Sequence, residues 1–182
     1  MKNKKGFTLI ELLAVMVILG LILGVAIPNV IRILNNSRND TYINDSKNLL
    51  SLAEYKYRSG KDIQKPTTMN CVLLSLEYLD NSEFEHAPHG GTYDKKRSYV
   101  AIRTVPIDDG VQVNYYVTLV EKLASGEYQG VQNQSISSLN DKEDRNILVE
   151  KKSESSFPEV KDISYIPGSG KGIICMNIEK KY

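Results

Sequence analysis

A carboxylate set in an apolar run must find a cation, a hydrogen-bond donor or water, and Glu11 is in that position. It stands in Phe7-Thr8-Leu9-Ile10-Glu11-Leu12-Leu13-Ala14, with apolar neighbours on both sides. At the centre of a membrane helix such a group costs about 2.5 to 3.5 kcal/mol on insertion scales, and less near the interface. The surroundings outweigh that cost. Residues 7–31 include six Leu, five Ile, four Val and one Phe, which at roughly 0.3 to 0.6 kcal/mol each favour insertion by about 5 to 10 kcal/mol. Insertion wins, and Glu11 is left short of a partner.

The element that carries it is long enough to cross a membrane. Residues 12–31 contain no Asp, Glu, Lys, Arg or His, and twenty helical residues span about 30 Å, one hydrocarbon thickness. Lys2, Lys4 and Lys5 precede it; by the positive-inside rule they hold the amino end in the cytoplasm and send the rest of the chain out. The residues alone leave two readings. In one, Glu11 snorkels to the headgroups, or residues 1–26 form an ordinary secretory signal cut after Gly24-Val25-Ala26. In the other, cleavage after Gly6 frees an ammonium on Phe7, and Glu11 of one subunit pairs with that ammonium on a neighbour. Two desolvated opposite charges attract strongly enough to set an axial register.

Lys4-Lys5-Gly6 followed by Phe7-Thr8-Leu9-Ile10-Glu11-Leu12-Leu13 resembles the class III leader and mature start of type IV pilins and pseudopilins, over about the first thirty residues. The resemblance implies cleavage after Gly6 by a membrane prepilin peptidase, N-methylation of Phe7, and the pairing role for Glu11. Further implications are an assembly platform protein as partner, membrane lipid as surroundings before assembly, and a homopolymer of this chain that can also take in other pilins. Location would pass from a single-pass cell membrane protein with a cytoplasmic amino end to an extracellular pilus serving adhesion, twitching motility or DNA uptake. A pseudopilin of a secretion machine and a minor tip pilin belong to the same family. From a different class, the alternative is an anchored or secreted binding module. Abundant Lys, Asn and Ile, without a paired-Cys loop near the carboxyl end, lean toward a Gram-positive source.

Gly20, Gly24 and Pro28 punctuate the apolar segment. Each Gly costs about 1 kcal/mol against Ala in a helix and Pro about 3. Membrane helices tolerate them where neighbours satisfy the freed backbone groups. The resemblance implies instead that this stretch loses helicity when packed in a filament.

Beyond Arg32 the chain turns polar but stays helix-compatible to Arg58, with Tyr42, Leu49, Leu50, Ala53 and Tyr57 at three- and four-residue intervals and Ser59-Gly60 as the stop. The spine so formed, from about Leu9 to Arg58, would be roughly 75 Å long. The later residues change period. Residues 99–105 and 111–119 alternate as strands around an Asp109-Gly110 turn signal, which predicts an antiparallel hairpin whose Val111, Val113, Tyr115, Val117 and Leu119 cover the helical stripe. Residues 70–79 read as a helical turn or a strand. A third strand is expected near residues 147–151 and a fourth near 172–178. Residues 135–145 and 153–161 read as polar surface excursions.

The predicted fold is therefore α+β and pilin-like, a long amino-terminal helix with a small antiparallel sheet. Its parts are a leader (1–6), a membrane and filament-core helix (7–31), an amphipathic second half (32–60) and a head (61–182). A chain of 182 residues with net charge +1 excludes a large multidomain enzyme and broad electrostatic nucleic-acid binding.

Other chemistry is poorly supported. Gly168-Ser169-Gly170-Lys171-Gly172 fails the phosphate-loop pattern, since Tyr165 stands where a Gly is needed and Gly172 where Ser or Thr is needed. His86 and His89, with Glu83, Glu85 and Asp94 nearby, lack a complete zinc spacing and read as solvated loop residues. No nucleophile, base and orienter set is indicated, so neither catalysis nor a cofactor is expected. Cys71 and Cys175 either bridge in an oxidising exterior, closing a loop of about 100 residues worth roughly 4 to 5 kcal/mol, or remain buried thiols. The glycosylation-like triplets at Asn35, Asn39, Asn44 and Asn133 receive no function, because polar helix composition accounts for three of them.

Overall fold

The computed structural model of the chain describes residues 8–60, 63–67, 70–79, 84–141, 148–163 and 177–181. By its contacts the chain divides into two compact units, residues 1–37 and 38–182. The helix α1 (Leu9–Ser59) runs through the division, with Pro28 inside it.

In the first unit α1 is apolar all round. Its large side chains from Leu9 to Leu34 are exposed, Leu9 by 84% and Leu21 by 69%, and none of its most hydropathic window is buried. The helix is long and apolar enough to cross a membrane, and an exposed apolar surface of this extent is costly in water.

In the second unit the helix becomes amphipathic and packs. Tyr42, Ile43, Ser46, Leu49, Leu50 and Ala53 are buried against a sheet. The strands are β1 (Asn70–Ser75), β2 (Thr92–Tyr93), β3 (Tyr99–Ile107), β4 (Gly110–Lys122), β5 (Tyr128–Gln134), β6 (Glu150–Lys152) and β7 (Asn177–Lys181), in the order β6-β5-β4-β3-β1-β7, with β2 pairing β4. All pairs are antiparallel except β1 with β7. The described residues of this unit also include the short helices α2 (Leu76–Leu79) and α3 (Ile136–Asn140). The fold is α+β and pilin-like, a long apolar helix followed by a mixed sheet.

Alternation along β1 and β3 serves two cores. Val72, Leu74, Val100 and Ile102 join the α1 stripe with Val117, Leu119 and Val131. Cys71, Leu73, Tyr99 and Ala101 face the other side, where Val160 and Ile163 cover them. Strands buried on both faces read as continuous apolar runs, and Cys71-Val72-Leu73-Leu74 is one.

Several expectations are corrected. Residues 153–161 are not a surface excursion throughout: the 3-10 turns at Glu154–Ser156 and Val160–Asp162 bracket Phe157, buried beside Val120 and Tyr128, and Val160 is buried as well. Residues 136–140 form α3, which buries Leu139 and is capped by the Ser135 hydroxyl accepting from the Ser138 N–H; residues 142–147 lie outside the described residues. Val111 does not cover the helix but is 61% exposed, while Val113 and Tyr115 are half-buried and Val117 and Leu119 fully buried. The hairpin also extends further than predicted, for Pro106 and Ile107 belong to β3, and Gly110, at φ 144°, closes the turn opposite Ile107.

Candidate functional site

Glu11 does not hang free at the start of α1. Thr8 stands just before the first helical residue, and its N–H and hydroxyl both donate to Glu11 Oε2, at 2.8 and 2.9 Å. In return the Glu11 N–H reaches Thr8 Oγ1 at 3.4 Å, and the Leu12 N–H closes the first turn on the Thr8 carbonyl at 3.2 Å. This reciprocal arrangement is a capping box, Thr-x-x-Glu, which satisfies donors that the first helical turn cannot. A carboxylate in the first turn is also favoured by the positive end of the helix dipole, by about 0.3 to 1 kcal/mol. Both contacts fall on Oε2, and Oε1 meets no partner among the described residues. The capping role was legible in Thr8-Leu9-Ile10-Glu11 but is missed when Glu11 is considered only as a charge.

Gly6 and Phe7, the expected cleavage and methylation residues, lie outside the described residues. Gly20, Gly24 and Pro28 are helical, and a Cβ added at either glycine would meet nothing within 4 Å beyond the helix's own backbone. Pro28 has no N–H to give the Gly24 carbonyl. One residue on, the Asn29 carboxamide donates back to the Val25 carbonyl at 3.1 Å, so a side chain supports the helix beside its weak point.

In the second unit Cys71 is buried and disulfide-bonded; Cys175 lies outside the described residues, as do residues 168–172 of the glycine-rich stretch and Glu83. The solvated reading of His89 is wrong, although it holds for His86, which is exposed. His89 Nδ1 lies 3.1 Å from Glu121 Oε2 and Nε2 lies 3.0 Å from Asn39 Oδ1 on α1. Glu121, with its side chain wholly buried, also accepts from the Gln129 carboxamide at 2.9 Å and the Gly91 N–H at 3.0 Å. A Cβ at Gly91 would run into the Lys122 carbonyl oxygen, so only glycine brings this N–H so close. Burial alone would raise the Glu121 carboxyl, but the bonds from His89, Gln129 and Gly91 outweigh it and hold the group below its ordinary value of 4.5.

A second pair extends the cluster. The Tyr42 hydroxyl donates to the Leu119 carbonyl at 2.8 Å, and the Tyr93 hydroxyl donates to Asp45 Oδ2 at 2.7 Å, with the two rings edge to face at 5.5 Å. Burial first, and then the neighbouring carboxylates of Glu121 and Asp45, push the Tyr42 phenol well up. Every polar atom named here is met by a partner, and both His89 nitrogens are occupied. The cluster ties α1 to the sheet and presents no open coordination position.

The family model described as the prokaryotic N-terminal methylation motif matches residues 1–27, which include the amino end of α1. No curated protein and no solved structure matches the chain. A basic leader, an acid capping the first helical turn and an uncovered apolar helix together with this match establish that the chain carries the prokaryotic N-terminal methylation motif, the class III signal of type IV pilins.

Proposed function

We propose that this pilin-like chain is the structural subunit of a type IV pilus, cleaved after Gly6, methylated at Phe7 and polymerised through the apolar half of α1. The observation that carries the reading is the combination of the methylation motif with a helix whose apolar residues are exposed on every side. Before assembly lipid covers that surface; in a fibre the same surface of neighbouring copies does. Head-to-tail contacts of this kind are heterologous and generate a helical filament unless the rotation closes.

Glu11 then has two tasks at once. Oε2 keeps the Thr8 cap, while Oε1 is free to accept the Phe7 ammonium of a neighbour. The pairing sets the axial step because a misplaced copy leaves two uncompensated charges in low dielectric, a penalty of several kcal/mol. Cys71, on the same reading, is joined to Cys175, the other cysteine of the chain, and so fastens the carboxyl end of the head to β1.

The test separates insertion from assembly. Glu11→Val keeps an apolar membrane segment and removes both the cap and the pairing charge; Glu11→Gln keeps hydrogen-bonding capacity and removes only the charge. Both variants are expected in the membrane fraction at normal amounts and absent from sheared fibres. Normal fibre yield from Glu11→Gln contradicts the charge-pairing step. Normal yield from both contradicts any assembly role for this residue. Recovery of processed wild-type chain only at fibre tips or in the cell envelope favours a minor pilin or a pseudopilin.

A further inference from the structure

The parity of the β3–β4 hairpin fixes which backbone groups are spare. Ile107 pairs with Gly110 across a two-residue turn, and Pro106 faces Val111. Proline has no N–H, so Pro106 and Val111 are a pair that exchanges no hydrogen bonds, and the exchanging pairs are 107 with 110, 105 with 112, 103 with 114 and 101 with 116. The N–H and C=O groups of Val111, Val113 and Tyr115 therefore point to the opposite edge of β4. Strand β5 reaches that edge only as far as Val117, opposite Gln134, and no other described strand pairs with residues 111–116. A groove of about 650 Å³ runs there, with Leu50, Ser51 and Glu54 of α1 and Ile136 on its walls.

The other free edges among the described residues are blunted. Strand β6 is Glu150-Lys151-Lys152, fully exposed, and β7 carries Glu179, Lys180 and Lys181. The free part of β3 holds Pro106, and that of β5 is kinked at Asn133, φ 52°, and occupied by Gln132 donating to the Ser156 carbonyl. Charges, proline and irregularity are the usual protection against edge pairing. Residues 110–116, Gly-Val-Gln-Val-Asn-Tyr-Tyr, have none of them. Among the described residues of this unit, three of the four exposed large apolar ones, Ile107, Val111 and Ile136, also lie at the hairpin tip or in this groove.

We infer that the open edge of β4 is a homotypic docking site, at which a second copy of this chain adds its own β4 antiparallel. The occupant is chosen by self-complementarity. A two-fold pairing centred on Val113 sets Val111 opposite Tyr115 of the second copy and Val113 opposite its own counterpart. All of these residues direct their backbone groups outward, so about six inter-chain hydrogen bonds form in register. On the helix-side face the exposed Val111 gains an aromatic neighbour, a favourable cross-strand combination. The contact is isologous and closes at two copies, so it joins two membrane-held subunits or two fibres rather than extending one. It does not depend on the Glu11 mechanism.

The test uses the full chain in detergent micelles, spin-labelled at the turn through Asp109→Cys. Pairing centred on Val113 offsets the two labelled positions by eight residues, so a distance near 27 Å, at about 3.4 Å per residue, is expected by dipolar spectroscopy. Val113→Lys or Val113→Glu alone sets like charges face to face and abolishes that distance, while an equal mixture of the two restores it. Val111→Pro removes an outward N–H at an exposed position without touching the bonds to β3, and abolishes the distance even if the Val113 variants fail to fold. Absence of the distance in the parent chain overturns the inference. So does its persistence in all three variants, or a mixture that fails to restore it while each variant keeps its native circular dichroism.

Discussion

At the residue scale, the two acids of greatest consequence are satisfied in different ways. Glu11 is held by a neighbour three positions away, whereas Glu121 is held by residues from a distant loop and from β5. That difference explains what could be read beforehand. Thr-x-x-Glu is a local pattern, visible in four letters, and the charge of Glu11 in an oily run was visible too. His89 meets Glu121 and Asn39 at sequence separations of 32 and 50, so only the fold reveals that it is a clasp rather than a solvated loop residue. The clasp has a measurable sign. Because the Glu121 carboxyl is lowered in the folded chain, its contribution to stability is present above the ordinary value of 4.5 and is lost as pH falls through the lower folded value. Glu121→Ala is expected to cost about 3 to 5 kcal/mol at neutral pH, since it leaves His89, Gln129 and the Gly91 N–H without their acceptor. Denaturant midpoints at neutral and acidic pH check both points: the parent should lose stability on acidification, and the variant should lose less.

At the scale of elements, periodicity identified the helix and the β3–β4 hairpin because each repeats its signal over many residues. Periodicity does not show how far the helix covers the hairpin: Val111 shares the alternation of Val117 and Leu119 yet is exposed where they are buried. Strand β5 escaped notice because Tyr128-Gln129-Gly130-Val131-Gln132-Asn133-Gln134 alternates poorly and contains a glycine, which the neighbouring Leu119 carbonyl oxygen requires by its closeness. Phe157, Val160 and Ile163 are three apolar residues in a polar stretch, too few for a period, yet they cover the second face of the sheet. The apolar half of α1 contains the other element-scale question. Asn29 supports the turn that Pro28 weakens, so the single subunit is helical there, and any melting belongs to the packed fibre. Pro28→Ala should leave membrane insertion intact and give stiffer fibres with continuous helix through residues 20–28. Equal local helicity in fibre maps of parent and variant would argue against a melting role.

At the scale of the whole molecule, the chain combines a head that packs its own core with a helix whose apolar side chains are left exposed. Composition averages hide this, since a net charge of +1 and 41% hydrophobic residues describe an ordinary soluble protein. The difference lies in the distribution instead: large apolar side chains are exposed along the first half of α1 and mostly buried among the described residues beyond it. On the proposed function, six residues are removed so that Phe7 can offer an ammonium to Glu11 of the next copy. The amino-terminal mass of the mature protein, taken from fibres and from membranes, tests it most directly. A chain beginning at Phe7 and carrying one added methyl group is the predicted result; a chain still beginning at Met1, or cut near Ile27 so that the apolar helix is lost, would contradict it.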